Sequence, residues 1–389
     1  MRNRPSVMTY CQLIATQMLD FRKNLVAKPV TSMPLTPVGA SGKETSMKRL
    51  KRSVAVIGAG LLMSAFLAAC GSDTPTEGGT DQSGVASQSG NGGEGESFKI
   101  LVAQIVTHTS LDESIAGFKA AIADAGLDVT YDEQNANGDQ TVVASIAGAA
   151  ASSNADLILA VATPMAQGLA QAVIDTPILF TSVTDPTDAG LVDSMDTPGA
   201  NVTGTSDANP VDEQVELIKQ FVPDIKTLGV VYNTGERNSS IQVEWVKEAA
   251  DKLGIEVKEA GATTSTEVQQ AAQSLDVDAI YVPTDNTVVS ALDSVISVGE
   301  SKGIPVFAAE GDSVKNGTVA TYGLSYYQLG YQTGQMAVRI LTEGANPAEM
   351  AVETQTDLLL YINKGAADRM DVKIPADLLE SADPENIFE

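Results

Sequence analysis

The chain is predicted to be an α/β protein of two Rossmann-like lobes, with parallel sheets joined by hinge strands. Two observations carry that prediction. Apolar runs of four to six residues, such as Leu157–Val161 and Pro177–Ser182, alternate with helix-length segments, as they must when crossover helices cover both faces of a parallel sheet. The same unit of buried strand, polar turn and helix start then recurs through a second stretch of similar length.

The body begins with a strand over Phe98–Val106. Ser110 and Glu113 have capping-box spacing for a helix that ends near Ala125–Gly126, with Leu111, Ile115, Phe118, Ala121 and Ile122 at helical intervals. A strand over Leu127–Asp132, the polar loop Asn135–Asp139 and a helix over Gln140–Ser152 follow. After the strand Leu157–Val161, Thr163 is placed to cap a helix that opens on Pro164 and runs to about Ile174. Pro177–Ser182 and a short strand around Asn201–Gly204 complete a five-strand lobe over 98–206.

The second lobe, 207–324, has strands at Thr227–Tyr232, Ile255–Glu259, Ala279–Val282, Pro305–Ala308 and Val319–Tyr322. Its helices are Val211–Phe221, Ile241–Leu253, Thr266–Leu275 and Thr287–Lys302, and a further helix spans Tyr326–Leu341. That last helix and the strand Leu358–Tyr361 come too late for a simple second lobe. The expectation is that 325–355 crosses back to lobe 1 and that 356–389 joins lobe 2.

The first hundred residues differ in kind. Met47–Arg52 is a basic segment, Val54–Phe66 is an apolar run too short for a comfortable membrane span, and Leu67–Gly71 places Cys70 directly after small residues. This is a lipoprotein signal over 47–69, with Cys70 as the lipidated residue. Gly58 and Gly60 lie inside the apolar run and carry no dinucleotide signature. Residues 70–97 are Gly/Ser/Asp/Glu-rich and read as a tether. Residues 1–46 are either upstream of the true start at Met47 or a cytoplasmic extension.

Charge narrows the partners. Of 24 Lys/Arg and 50 Asp/Glu, residues 1–69 hold ten and two, leaving 14 and 48 for the remainder. So acidic a body repels nucleic acid and anionic lipid surfaces. Two cysteines form no disulfide framework, and no His/Cys/carboxylate cluster has metal-binding spacing. His108 is the single histidine and has no nucleophile motif beside it. No catalytic residue, metal or cofactor is expected.

In open parallel sheets a ligand lies beyond the carboxyl ends of the strands. The candidate binding residues are accordingly His108, Thr163, Ser182 and Asp185 from lobe 1, with Asn238, Ser239, Ser240, Thr284, Asp285, Asn286 and Glu310 from lobe 2. Helix starts at Thr163 and Ser239 would take a carboxylate, and Asp185 or Asp285 an ammonium group. For Asp285, a neighbouring helix N-terminus is expected to keep the carboxylate ionised and available. The competing reading is that both aspartates only cap turns or helices. Tyr322, Tyr326, Tyr327 and Tyr331 read as core and interface rather than as a ligand box.

Several segments resemble the ABC-transporter substrate-binding lipoproteins of the tryptophan/tyrosine-type family. They are His108–Asp112, Asn135–Asp139, Ala162–Pro164, Phe180–Pro186 with Gly190–Val192, Asn201–Gly204, Gly235–Ser240, Tyr281–Asn286 and Ala320–Gly330. The match spans about Phe98–Pro375, although Thr107–Asp112 departs from the Glu-His-Pro-Ala-Leu-Asp often found in such relatives. The resemblance implies a type I periplasmic binding protein fold and a monomeric, lipid-anchored, extracytoplasmic protein. It also implies capture of an aromatic or large apolar amino acid for an ABC permease and its ATPase. The alternative is a ligand-sensing domain of the same fold for a sugar or purine.

Overall fold

The computed structural model describes residues 97–389. The signal, Cys70 and tether expectations fall on residues outside the described ones. Among the described residues, thirteen strands and twelve α-helices are arranged in two layered units.

The first unit is built on a six-stranded sheet of order β11-β5-β4-β3-β1-β2, all parallel. Its strands are β1 (Ser97–Gln104), β2 (Asp128–Asn135), β3 (Leu157–Val161), β4 (Ile178–Val183), β5 (Val202–Ser206) and β11 (Glu353–Thr354). Every residue of β3, β4 and β5 is buried, which requires cover on both faces. Helices α1 (Thr109–Asp124), α2 (Gln140–Ala150), α3 (Thr163–Ala172) and α10 (Tyr326–Glu343) supply it, α1 packing on α10 and α2 on α3.

The α1–α10 contact is set by glycine. A Cβ on Gly330 would stand 1.8 Å from the Ser114 carbonyl oxygen, and one on Gly117 2.0 Å from that of Tyr327. Only hydrogen side chains let the two backbones meet there. Helix α10 is thereby locked to lobe 1, although the strand before it belongs to lobe 2.

The second unit holds the parallel sheet β7-β6-β8-β9, of β6 (Thr227–Asn233), β7 (Glu256–Ala262), β8 (Ala279–Val282) and β9 (Val306–Ala308). Around it lie α4 (Val211–Phe221), α5 (Arg237–Leu253), α6 (Val268–Ser274), α7 (Asn286–Val289), α8 (Leu292–Lys302) and α9 (Gly311–Lys315). A small sheet β10-β12-β13 joins β10 (Ala320–Gly323) antiparallel to β12 (Leu359–Asn363), with β13 (Ile387–Phe388) parallel at its edge. Helices α11 (Lys364–Arg369) and α12 (Ala376–Ser381) close the chain. Each unit has its own core: Met336, Ile340 and Val352 belong to the first, Ile362, Met370 and Leu378 to the second. The backbone therefore passes between units at 207–210, 324–325 and 355–358.

Local corrections concern helix starts and the last strands. The Ser110 capping box does not form, because His108 occupies the cap position without a side-chain bond and the Ser110 hydroxyl is drawn to Glu310. Ala162, not Thr163, caps α3, so Pro164 takes the second helical position. Asn238–Ser240 form the first turn of α5 rather than a preceding loop. Helix 287–302 is broken into α7 and α8, where the Ala291 N–H turns back to Val288 O. Strand β2 continues to Asn135 because it pairs with β1 over eight residues. Strand β10 leaves the parallel sheet of lobe 2 to pair with β12.

Candidate functional site

The strand carboxyl ends of the two sheets face each other, and side chains from both close the gap. Ser110 Oγ donates to Glu310 Oε2 at 3.0 Å. Thr184, just past β4, meets Thr284, just past β8, with hydroxyls 3.3 Å apart. The His108 ring lies beside the Asn286 side chain. At the rim, the Arg237 guanidinium forks onto the Asp188 carboxylate. The outer cleft holds a cavity of about 620 Å³ between Asn137, Gly138 and Asp139 on one side and Gly235, Glu236 and Asn286 on the other.

Among the described residues, four buried polar atoms at these strand ends have no partner: His108 Nδ1, Thr163 Oγ1, Asn209 Oδ1 and Asn238 Oδ1. Buried polar atoms are ordinarily satisfied, so each is a place where a ligand or water would be bonded. Burial pushes the His108 ring down to about 4, so it is neutral at pH 7 and presents one donor and one acceptor. Thr163 stands in the first turn of α3, where free backbone N–H groups favour an anion.

The backbone around that helix start is strained. Ala162 has φ 77° and ψ 156°, a region held almost only by glycine, and Ser182 in β4 has φ 57°. Each costs on the order of 1–3 kcal/mol, and such strain concentrates at binding sites. At Ser182 the β4–β5 register shifts between Phe180 and Val183, and the Ser182 hydroxyl lies 3.0 Å from that of Ser114.

The lobe 2 carboxylates are employed differently from the expectation. Asp285 is fully buried and caps α7 through the Val288 N–H at 2.8 Å. It also accepts from Ser239 Oγ at 2.6 Å and from the Asn233 N–H. Burial, reinforced by the charge of Glu236, raises its pKa. Its oxygens serve three protein donors, so the carboxylate is not free for an ammonium group, and Ser239 is committed to it. Ser240 Oγ donates back to the Glu236 carbonyl at 3.2 Å and is likewise spent within the helix. Asp185 accepts from the Thr187 and Asp188 N–H groups at 3.0 and 2.9 Å, which makes it the cap of its own turn.

Sequence reasoning passed over four residues that organise the cleft. Glu236 accepts from Asn286 and Thr287 N–H groups at 3.2 and 3.1 Å and from Thr287 Oγ1 at 2.9 Å, tying the β6 and β8 loops together. Gln242 donates to Thr284 Oγ1 at 2.5 Å and accepts from its N–H at 3.1 Å. Asp207, in the first crossover, accepts from Tyr326 Oη at 2.8 Å and from Thr184 Oγ1 at 3.2 Å. Burial raises Asp207 to about 6. It raises Glu310 to about 8, with Asp312 and Asp207 adding to the effect. Thr184 itself joins Asp207 to Thr284. Glu236 and Thr184 lay inside the Gly235–Ser240 and Phe180–Pro186 segments already singled out; Gln242 and Asp207 carried no local signal.

The family model for ABC transporter substrate binding protein matches residues 99–385. The chain is 38% identical over 338 residues to a tyrosine-binding protein of Clostridioides difficile, covering 85% of this chain and 96% of that protein. Among solved structures it is similar to an ABC domain in complex with L-Trp from Streptococcus pneumoniae. There the TM-score is 0.72 at 37% identity, over 74% of this chain and 99% of that one. It is also similar to the ligand-free, open structure of a Clostridium difficile substrate-binding protein with adhesive properties. That TM-score is 0.57 at 42% identity, over 75% and 98% of the two chains. The chain belongs to the ABC transporter substrate-binding proteins, which bind a small molecule for a transporter rather than transform it.

Proposed function

We propose that this protein captures an aromatic amino acid, tyrosine or tryptophan, between its lobes outside the cytoplasmic membrane and delivers it to an ABC importer permease. The observation that carries the reading is the set of unpartnered buried atoms of His108, Thr163 and Asn238, distributed over both lobes at strand carboxyl ends. A zwitterion needs an anion site and a cation site held apart by a few ångströms. The first turn of α3 with Thr163 suits the carboxylate, whereas the free Asn238 Oδ1 opposite is an acceptor and suits a donor group of the ligand. His108 faces Asn286 across the gap, and Glu310 brings an acidic group.

Ligand identity is supported by two relatives, one a tyrosine-binding protein and one solved with L-Trp. The fold overlays the L-Trp complex better than the open, ligand-free relative despite higher identity to the latter, in keeping with a closed arrangement. Contacts made to both lobes at once favour closure, because a ligand shifts a conformational equilibrium only by binding one state better. Mass spectrometry of small molecules released from gently purified protein tests the reading: tyrosine or tryptophan is expected, and a sugar or purine would reject it.

The proposal extends to the anchor. Cys70 carries a diacylglyceryl group, and the segment 71–97 tethers a monomeric binding domain to the outer face of the membrane. Intact-mass analysis of the membrane fraction should find a lipidated chain starting at Cys70. An unmodified chain retaining residues 47–69 would contradict it.

A further inference from the structure

Four acidic side chains are buried where the lobes meet, and they are not equivalent. Asp285 and Glu236 are surrounded by protein donors from the β6 and β8 loops. Asp207 and Glu310 sit apart from these, beside the first crossover. Glu310 is 3% exposed and receives Ser110 and Ser313 hydroxyls, both on Oε2. Among the described residues no donor reaches its Oε1. Asp207, 2% exposed, receives one hydroxyl on each oxygen.

No basic side chain acts on either carboxylate, and their mutual charge opposes ionisation. The one histidine is kept neutral by burial. A second, independent feature lies in the same place. Asn209, 7% exposed, donates its amide to the Asp207 backbone carbonyl at 3.0 Å, and its Oδ1 is buried without a partner. Two acids and an unpaired amide oxygen are assembled there, and among the described residues no basic side chain meets them. Such a group is stabilised by an entering cation that brings several N–H donors.

We propose that Glu310 and Asp207, with Asn209 Oδ1, form the cation-binding half of the cleft and take the ammonium group of the bound amino acid. The assignment rests on the aromatic amino-acid reading above. Glu310 is reached from lobe 1 by Ser110, and Asp207, in the first crossover, is tied to lobe 1 through Thr184 and Tyr326 and, by way of Thr184, to Thr284 of lobe 2. An ammonium group seated there bonds the hinge as well as the lobes.

The test compares L-tyrosine with 3-(4-hydroxyphenyl)propionate, the same molecule with hydrogen in place of the ammonium group, by calorimetric titration. The wild-type protein should bind L-tyrosine at least tenfold more tightly. Glu310→Gln should weaken L-tyrosine at least tenfold and leave the propionate within twofold, erasing the preference. If Glu310→Gln fails to fold, Asp207→Asn takes its place, with at least a threefold selective loss expected. Equal weakening of both compounds would make the carboxylate a closure contact only and overturn the assignment. A wild-type protein with no preference between the two would overturn it while leaving aromatic capture intact. Binding of neither compound, nor of L-tryptophan, by the wild type would remove the amino-acid reading and this assignment with it.

Discussion

Ser110 and Glu310 stand 200 residues apart, on opposite lobes, and their side chains are joined by a 3.0 Å hydrogen bond in a buried setting. Because Ser110 caps nothing in its own helix, the bond contributes to closure rather than to the folding of lobe 1. Ser110→Ala should leave the melting temperature of the ligand-free protein within about 2 °C. It should weaken ligand binding roughly three- to tenfold, the equivalent of one hydrogen bond of about 1 kcal/mol. Calorimetric titration and a thermal melt of this variant separate the two effects.

Thr163 offers a cleaner contrast. Its hydroxyl is buried without a partner, so in the empty protein Thr163→Val removes an unsatisfied atom and should be neutral or slightly stabilising. Ligand affinity should nevertheless fall about fivefold or more, because the carboxylate loses a donor. A loss of stability with unchanged affinity would exclude Thr163 from the site.

For Asp285 the expectation reverses. Its carboxylate satisfies the Asn233 and Val288 N–H groups and the Ser239 hydroxyl. Asp285→Ala leaves those donors buried and unpaired, at a cost of about 2–4 kcal/mol of stability. Denaturant unfolding should show that loss, while affinity measured on the folded fraction stays within about threefold.

These contrasts mark how far local sequence carries. Strands β3 and β4 are legible to within a residue because a continuous apolar run has one interpretation when helices flank it. The start of α5 is not, since Arg237–Ser240 are polar and look like loop until tertiary contacts bury Asn238 and Ser239. Ser110 has the spacing of a capping box, yet a glutamate 200 residues away competes for its hydroxyl and wins. Asp207 and Gln242 are single polar residues whose importance arises only when three crossovers bring the lobes together. The positions of Thr163 and Asn238 follow from the rule that ligands gather at strand ends, and their lack of partners is visible only in three dimensions.

Burial also sets a pH dependence. Asp207 and Glu310 titrate at about 6 and about 8 in the folded protein, above their ordinary values of 3.8 and 4.5. Through these two groups the native state binds more protons than the unfolded chain between about pH 4 and 8, so their contribution to stability is full below that window and declines as pH rises through it. His108, lowered by burial to about 4, opposes the trend below about pH 6.5. Tyr326, Tyr281 and Asp312 face the same cluster and carry no positive charge that would offset this. Asp139, Glu267 and Asp278, held low by hydrogen bonds from Thr141, Thr263 and Lys226, lose their contribution only at more acid pH. Unfolding free energy of the ligand-free protein should be lower at pH 8.5 than at pH 5 by at least about 1 kcal/mol. Glu310→Gln should flatten the slope.

The central claim is that an aromatic amino acid closes this two-lobed protein around itself. Small-angle scattering of ligand-free protein, titrated with L-tyrosine or L-tryptophan and run beside a hexose control, measures that directly. A radius of gyration that falls saturably with the amino acid, at a stoichiometry of one, and stays constant with the hexose is the predicted result. An unchanged profile at concentrations where calorimetry confirms amino-acid binding, or contraction with the hexose instead, would contradict the account.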